Sequence, residues 1–258
     1  MFDLKKKIII VTGGSGFFGT IIVNTIKKFN GIPIIIDLKR PSKKNIFYQT
    51  DITSEEEIKN VCKEIIKKYK SVYGLINNAA SNDPKLKNSN RHEDKLENFD
   101  LNRWKRDIDI SLTGSFLCSK YFGQQIIKNK KGGVIINVSS DLGLIAPNQD
   151  LYKLKTKKKI IKNKKPISYS VSKSGIIGLT RYLSTYWPNK NLRCNCICPG
   201  GIYNNQNKNF HKKLIKLIPQ KRMANKNDYS STLIWMLSEN TEYLNGAIIS
   251  VDGGRTVW

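Results

Sequence analysis

Histidine and arginine are scarce in this chain of 258 residues: the only histidines are His92 and His211, and 37 of the 45 basic residues are lysine. Cysteine is sparse too, and the five present (Cys62, Cys118, Cys194, Cys196 and Cys198) contain no Cys-x-x-Cys pair. Isolated histidines and cysteines without that spacing argue against a metal site, and nothing suggests the disulfide framework of a small secreted fold. Cys194, Cys196 and Cys198 alternate along a run with strand character, so they read as small buried residues on one face. No apolar run approaches the ~20 residues a membrane-spanning helix needs. Lys5-Lys6-Lys7 leads only into Ile8–Val11 before Thr12-Gly13-Gly14, too short for a signal-peptide core. A soluble cytoplasmic protein with no membrane contact is expected. The shortage of arginine also colours the net charge of +25. Arginine is the side chain that forks onto phosphates and base edges. A broad lysine excess reads instead as a basic solvated surface, and no nucleic-acid partner is expected.

What the chain does contain is a hydrophobic fraction of 39% with nine Phe, eleven Tyr and four Trp, the composition of a folded globular protein. Short apolar runs at Ile8–Val11, Ile32–Ile36, Val72–Ile76, Val134–Val138, Leu192–Ile197 and Ala247–Val251, with a weaker one at Ile46–Tyr48, alternate with helical patterns. Ser54 opens one helix, in which Ile58, Val61, Cys62, Ile65, Ile66 and Tyr69 keep the helical spacing. Phe17–Phe29, Trp104–Ile127, Tyr169–Trp187 and Asp228–Leu237 read as further helices. This alternation predicts an α/β fold with a sheet of about seven mostly parallel strands and helices on both faces, as one domain over residues 1–258. Two segments interrupt it: a polar stretch at 82–103, and 150–166, which places eight lysines within 153–165 and no acid among them. Both follow strands, so both are expected at the carboxyl edge of the sheet, where open α/β folds bind ligands.

Directly after the first apolar run comes Thr12–Gly19, which contains Gly14-x-Gly16-x-x-Gly19, and an acid, Asp37, closes the second run 18 residues later. Strand, glycine turn, helix, strand and acid together are the context of a dinucleotide site. The glycines allow a tight turn and a close approach of pyrophosphate to the helix N-terminus. Asp37 is placed to accept from the adenosine ribose hydroxyls and to repel a 2′-phosphate, which favours NAD over NADP, although Lys39 and Arg40 follow and soften that repulsion.

Tyr169 and Lys173 stand one helical turn apart on one face. A free phenol has a pKa near ~10. A lysine ammonium ~4 Å away, at an effective dielectric of ~20, is worth up to about 4 kcal/mol, close to three pKa units. That would bring the phenol into range for proton exchange with a substrate hydroxyl near neutrality. Tyr186 and Lys190 share the spacing, but Pro188 between them argues against a regular turn there.

With these elements in place the chain resembles the short-chain dehydrogenase/reductase family over nearly its whole length. The matching pieces, in order, are TGGSGFFG (12–19), TDIT (50–53), NNAA (77–80), INVSS (136–140), YSVSK (169–173), CPGGIYN (198–204) and VDGG (251–254). The resemblance implies a Rossmann-type doubly wound fold, NAD(P)-linked interconversion of an alcohol and a carbonyl on a small molecule, and a homodimer or homotetramer. It implies that Tyr169 is the acid/base, Lys173 its pKa-lowering and ribose-binding neighbour, and Ser140 the hydrogen-bond partner of the substrate oxygen. Cofactor contacts would fall to Gly13, Ser15, Gly16, Phe18, Gly19, Asp37, Asp51, Ile52, Asn78, Ala79 and Ile202, beside Tyr169 and Lys173. No metal is needed, since the nicotinamide carries the hydride chemistry. Three positions depart from the family pattern: Ala80 replaces a usual glycine, Asn204 a common threonine, and Ser111 the asparagine that serves as fourth catalytic residue.

In most relatives the serine precedes the tyrosine by about a dozen residues; Ser140 and Tyr169 are 29 apart, and the lysine-rich 150–166 segment is the surplus. A longer loop adds little closure entropy, ~0.6 kcal/mol per doubling, so the two are expected to converge. Lysines beside the reacting carbon raise the possibility of an anionic substrate such as a sugar phosphate, sugar acid or nucleotide-activated sugar, with a merely solvated loop as the plain alternative. SSDLGLIAP, CPGGIYNNQ and DGGRTVW resemble members tied to bacterial surface-sugar and flagellin-glycan pathways. Two other readings stand beside that one: a 3-oxoacyl-carrier-protein reductase using NADPH, and a non-catalytic nucleotide-sensing member.

Overall fold

The computed structural model describes residues 2–81, 94–155, 160–162 and 164–258, so Lys157, Lys158, Lys159 and His92 lie outside the described residues. Its strands are β1 (Ile8–Thr12), β2 (Ile32–Asp37), β3 (Ile46–Gln49), β4 (Gly74–Asn77), β5 (Gly133–Val138), β6 (Lys153–Lys155), β7 (Ile160–Lys162), β8 (Leu192–Pro199) and β9 (Ile248–Val251). Seven form one sheet in the order β3-β2-β1-β4-β5-β8-β9, every pairing parallel.

The runs of isoleucine follow from that arrangement, since a parallel strand with helices on both faces has no wet side. Alternate residues feed alternate layers. Ile8, Ile10, Ile34 and Ile36 pack with Ile58, Val61 and Ile65 of α2 (Glu55–Tyr69) and with Phe122 and Ile126 of α4 (Gly114–Ile126). Ile9, Val11 and Ile35 face the opposite way, onto Ile22 and Ile26 of α1 (Phe17–Lys28) and Leu233 and Ile234 of α7 (Ser230–Leu237). The fold is the expected doubly wound α/β sheet.

Ser54 caps α2 as its sequence predicts, accepting from the Glu57 backbone, with Glu55, Glu56 and Glu57 in the first turn and Lys67 and Lys68 in the last. The helix expected over Trp104–Ile127 is one helical run in three parts: α3 (Leu101–Ile108), a π turn (Asp109–Thr113) and α4. Among the described residues one α-helix is additional to those read from the sequence, α6 (Lys208–Lys216), whose Leu214 packs with Leu151, Ile218 and Met223. The five cysteines are buried and free, and Cys196 Sγ lies 3.9 Å from Cys198 Sγ. Among the described residues no helix is long and apolar enough to cross a membrane.

The surplus between Ser140 and Tyr169 forms an antiparallel ribbon, β6 with β7, in the register Lys153↔Lys162. Its base is stitched on both sides. The Lys165 backbone N–H donates to Gln149 Oε1 at 2.9 Å, and Lys213 of α6 donates to the Asp150 carbonyl at 2.8 Å. The Tyr152 and Phe210 rings meet at 5.8 Å. The insertion therefore leans on α6 and leaves the strand it follows intact.

Candidate active site

Sheet order reverses between β1 and β4, so the loops leaving their carboxyl ends diverge and open a crevice. The glycine turn lies there. Gly13 has φ +63, and a Cβ on it would come within 2.7 Å of Ala79 Cα, which excludes a side chain twice over. A Cβ on Gly19 would come within 2.1 Å of the Gly13 carbonyl oxygen. Gly16 is the N-cap of α1 and no side chain caps that helix end, and the first N–H groups of an α-helix have no partner within it. A cradle lined by backbone donors at a helix N-terminus fits the pyrophosphate of a dinucleotide.

Neighbouring residues hold this turn in shape. Asp37 Oδ2 accepts from the Ser15 N–H at 3.0 Å and Oδ1 from the Lys39 N–H at 3.1 Å, while the Ser15 hydroxyl donates to the Lys39 carbonyl at 2.6 Å. A carboxylate has about four acceptor positions, so Asp37 keeps capacity for ribose hydroxyls. Asn78 Nδ2 donates to the carbonyls of Thr12 and Gly13, both at 3.0 Å, and the Asn78 and Ala79 N–H groups donate to Thr12 Oγ1. Asp51 turns its Oδ1 back onto Thr53, and the Ile52 side chain is buried against Gly114. The Ile52 side chain is therefore committed to packing. The Phe18 ring likewise points into the core, edge-on to Tyr229 at 5.2 Å. Ile202 sits past β8, bridged to Ala224, with its carbonyl accepting from Gln206 Nε2 at 2.7 Å.

The chemical half is built where β5 ends against α5 (Ile167–Tyr186). Lys173 is clamped twice by that strand end: its Nζ donates to the Val138 carbonyl at 2.8 Å, and its own carbonyl accepts from the Ser139 hydroxyl at 2.6 Å. The first turn of α5 is fixed from the other side, where the Ser168 hydroxyl donates to the buried Asp107 at 2.7 Å. Lys173 Nζ lies 6.0 Å from the Tyr169 ring centroid, and Lys165 Nζ lies only 3.6 Å from it. Ser140 is buried beside them; its hydroxyl donates to Asp141 Oδ1 at 2.7 Å and accepts from the Leu142 N–H at 3.2 Å.

The electrostatics differ from the expectation of a phenol loosened by Lys173. Burial pushes the Tyr169 phenol above its ordinary value; the Ser140 hydroxyl draws it back, and the Asp141 carboxylate raises it further. Burial brings Lys173 down to about 8. The physical reason is that both groups have left water, so each is driven towards its neutral form. Lys173 also spends a donor on a carbonyl of the sheet. Burial thus favours the neutral form of each group, while the bond to Val138 holds Lys173 in place.

Ser111 is buried in the π turn ahead of α4, its carbonyl accepting from the Ser115 hydroxyl at 2.7 Å. Among the described residues no hydrogen bond joins its side chain to Ser140, Tyr169 or Lys173. Next to Leu112 in that turn lies Gly175 of α5, where a Cβ would come within 3.1 Å of Leu112, so the turn packs directly on the helix that carries the Tyr169–Lys173 pair.

Two features of the site were not read from the sequence. Asp141 forms a buried ion pair with Arg255, near the C-terminus, which ties the turn after Ser140 to the far end of the chain. Lys165, the last lysine of the insertion, stands on the ring of Tyr169. A lone acid and a distant arginine give no periodic signal. The four-residue spacing of Lys165 and Tyr169 was present in the sequence, hidden among neighbouring lysines.

The chain is similar to known proteins over nearly its whole length. A family described as Enoyl-(Acyl carrier protein) reductase matches residues 34–256. The 7alpha-hydroxysteroid dehydrogenase of Bacteroides fragilis is 28% identical over 100% of this chain and 97% of its own. The post-translational flagellin modification protein A of Campylobacter coli is 28% identical over 97% of this chain and 98% of its own. Among solved structures, a short-chain dehydrogenase from Leptospira borgpetersenii with bound NAD+ superimposes with a TM-score of 0.85 and 28% identity, over 99% of this chain and 94% of that one.

Proposed function

Because the chain belongs to the short-chain dehydrogenase/reductase family, we propose that this oxidoreductase interconverts a secondary alcohol and a ketone on a sugar-derived substrate, with NAD as the hydride carrier. The observation that carries the reading is the meeting of Ser140, Tyr169 and Lys173 at one sheet edge despite the 29-residue separation of the first two. NAD as cofactor is supported by the Leptospira structure and by Asp37, which faces the glycine turn with acceptor capacity to spare. A role in surface-glycan biosynthesis is supported by the flagellin-modifying relative. Cytoplasmic placement and a homodimer or homotetramer belong to the same proposal.

The bound nicotinamide supplies the hydride donor or acceptor. Ser140 holds the substrate oxygen. Tyr169 moves the proton: as a neutral phenol it donates to a carbonyl oxygen being reduced, and in the reverse direction it takes the hydroxyl proton. Lys173 holds the nicotinamide ribose and stabilises the phenolate. Since burial favours the neutral phenol, alcohol oxidation should gain from a rise in pH more than ketone reduction does. Ser111 is proposed to hold the relay water where relatives use asparagine.

The net charge of +25 favours one further reading, a 3-oxoacyl-carrier-protein reductase, because the carrier partner is acidic; that enzyme would prefer NADPH and act on acetoacetyl thioesters. One experiment separates the two. NAD+ and NADP+ reduction is followed against sugar phosphates, uronic acids and nucleotide sugars, with thioester reduction measured in parallel, for wild type and Tyr169→Phe. The expected result is NAD+-linked sugar oxidation that falls by ~10²–10⁴ in the variant. Undiminished turnover by Tyr169→Phe would overturn the mechanism, and NADPH-linked thioester reduction alone would overturn the substrate.

A further inference from the structure

Lys165 is only half-buried, yet its ammonium is turned onto an aromatic ring rather than out into water. Its ammonium lies over the face of the Tyr169 ring, 3.6 Å from the centroid, and its backbone is pinned by Gln149. The acids nearest in charge are already engaged: Asp141 is paired with Arg255, and Asp94 accepts from Arg103 Nη1 at 2.7 Å. Among the described residues no carboxylate pairs with Lys165 itself. Burial, opposed by Asp141 and Asp94 and reinforced by Lys173 and Arg255, takes its pKa down to about 8. A partly desolvated cation without a counter-ion is costly, and an anion from outside would relieve that cost.

Space for the anion adjoins it. A cavity of about 540 Å³ is walled by Lys164, Lys165, Gln149, Ser170, Pro147 and Leu96, with Asp94 and Glu97 also in its lining. The Ser170 hydroxyl there is buried and has no hydrogen-bond partner. An ammonium and a spare hydroxyl therefore border one cavity, and that ammonium lies over the ring of Tyr169.

We propose that Lys165 is a specificity-determining residue that receives an oxyanion, a carboxylate or a phosphate, carried by the substrate close to its reacting carbon, with Ser170 as second donor. This rests on the reading of Tyr169 as the proton-transfer group. It confers selection for acidic sugars over neutral ones through a residue supplied by the insertion, which gives that segment a function at the site.

The test is calorimetric. Wild type, Lys165→Met and Lys165→Arg are saturated with NAD+, which removes the pyrophosphate cradle as a competing anion site, and titrated with sodium phosphate and, separately, with glycolate. At least one anion should bind wild type, bind Lys165→Met ~10–100-fold more weakly, and bind Lys165→Arg nearly as well as wild type. Wild-type binding should fade as pH rises from about 7 to about 9.5, the range in which a lysine lowered this far loses its proton, and binding to Lys165→Arg should not. Phosphate binding alone marks phosphate esters as the class, glycolate alone marks sugar acids, and both mark any oxyanion. Equal anion affinity in Lys165→Met, or no anion binding by an NAD+-loaded wild type, overturns the inference while leaving the oxidoreductase reading intact. Failure of wild type to bind NAD+ overturns both.

Discussion

Replacing Arg255 by methionine strands a carboxylate in the interior. Asp141 and Arg255 are only 3% and 7% exposed, and they are each other's ion-pair partner. Asp141 also accepts from the Ser140 hydroxyl at 2.7 Å and from the Leu142 N–H at 2.8 Å, so part of its charge stays compensated when the guanidinium goes. Removing one partner of a buried pair generally costs about 3–5 kcal/mol, because the remaining ion has lost both its counter-ion and water. At roughly 2–4 °C per kcal/mol for a chain of this size, Arg255→Met should melt about 10 °C below wild type. The double variant Asp141→Asn/Arg255→Met removes both charges and should recover most of that loss, whereas independent contributions would add. Catalysis provides a second readout. An unpaired Asp141 pulls harder on the Ser140 proton, so kcat should fall in Arg255→Met even at temperatures where the protein is folded. Calorimetric melting with steady-state kinetics on the three proteins measures both effects. An Arg255→Met protein that melts within about 1 °C of wild type would refute the reasoning.

Two further predictions follow from the glycine turn and from Lys173. Gly19→Ala places a methyl where 2.1 Å separates it from the Gly13 carbonyl oxygen, so the turn must shift, at about 1–3 kcal/mol; NAD+ affinity by calorimetry should fall with it, and unchanged affinity would show that the turn is not the cofactor cradle. Lys173, held near 8 in the folded chain against ~10.4 when unfolded, binds a proton in the unfolded state and not in the folded one between those values, so its contribution to stability rises with pH across that window. Lys173→Met should therefore flatten the rise in unfolding free energy between about pH 8 and about pH 10.4, read by urea titration, and an unchanged slope would mean the ammonium is not desolvated.

The sheet was legible because both its faces are covered: continuous isoleucine runs at Ile8–Val11 and Ile32–Ile36 leave little choice but buried parallel strands. The glycine turn was legible for the same reason that it is rigid, since Gly13 and Gly19 sit where a Cβ cannot. The spacing of Tyr169 and Lys173 placed both on α5 correctly, yet the direction of the phenol's pKa did not follow from it. Spacing reports who is near whom; the pKa depends on how much water has left and on where Lys173 sends its donors, and that is fixed by Val138 at the end of a strand 35 residues away. Helix α6 escaped because its Lys-Lys-Leu-Ile-Lys pattern is stabilised by the insertion's Leu151 and Tyr152, a partner that no local rule supplies.

That last contact bears on why the insertion leaves the site undisturbed. A 29-residue path between Ser140 and Tyr169 could end anywhere, but its two ends are fixed to each other through Gln149 and Lys165 and to α6 through Lys213. The serine–tyrosine geometry is then set by the short stretches Ser140–Gln149 and Lys165–Tyr169, and the ribbon between them is free of that constraint. Length added beyond the stitch costs only the slow logarithm of loop closure. The residue at the stitch is also the one that reaches the tyrosine ring, so the anchoring that joins these two stretches also delivers a cation to that ring. Cutting the stitch without touching Lys165, by Gln149→Ala, should lower kcat, with turnover measured at a temperature where circular dichroism shows the variant folded. Unchanged turnover would mean that α6 alone holds the insertion in place.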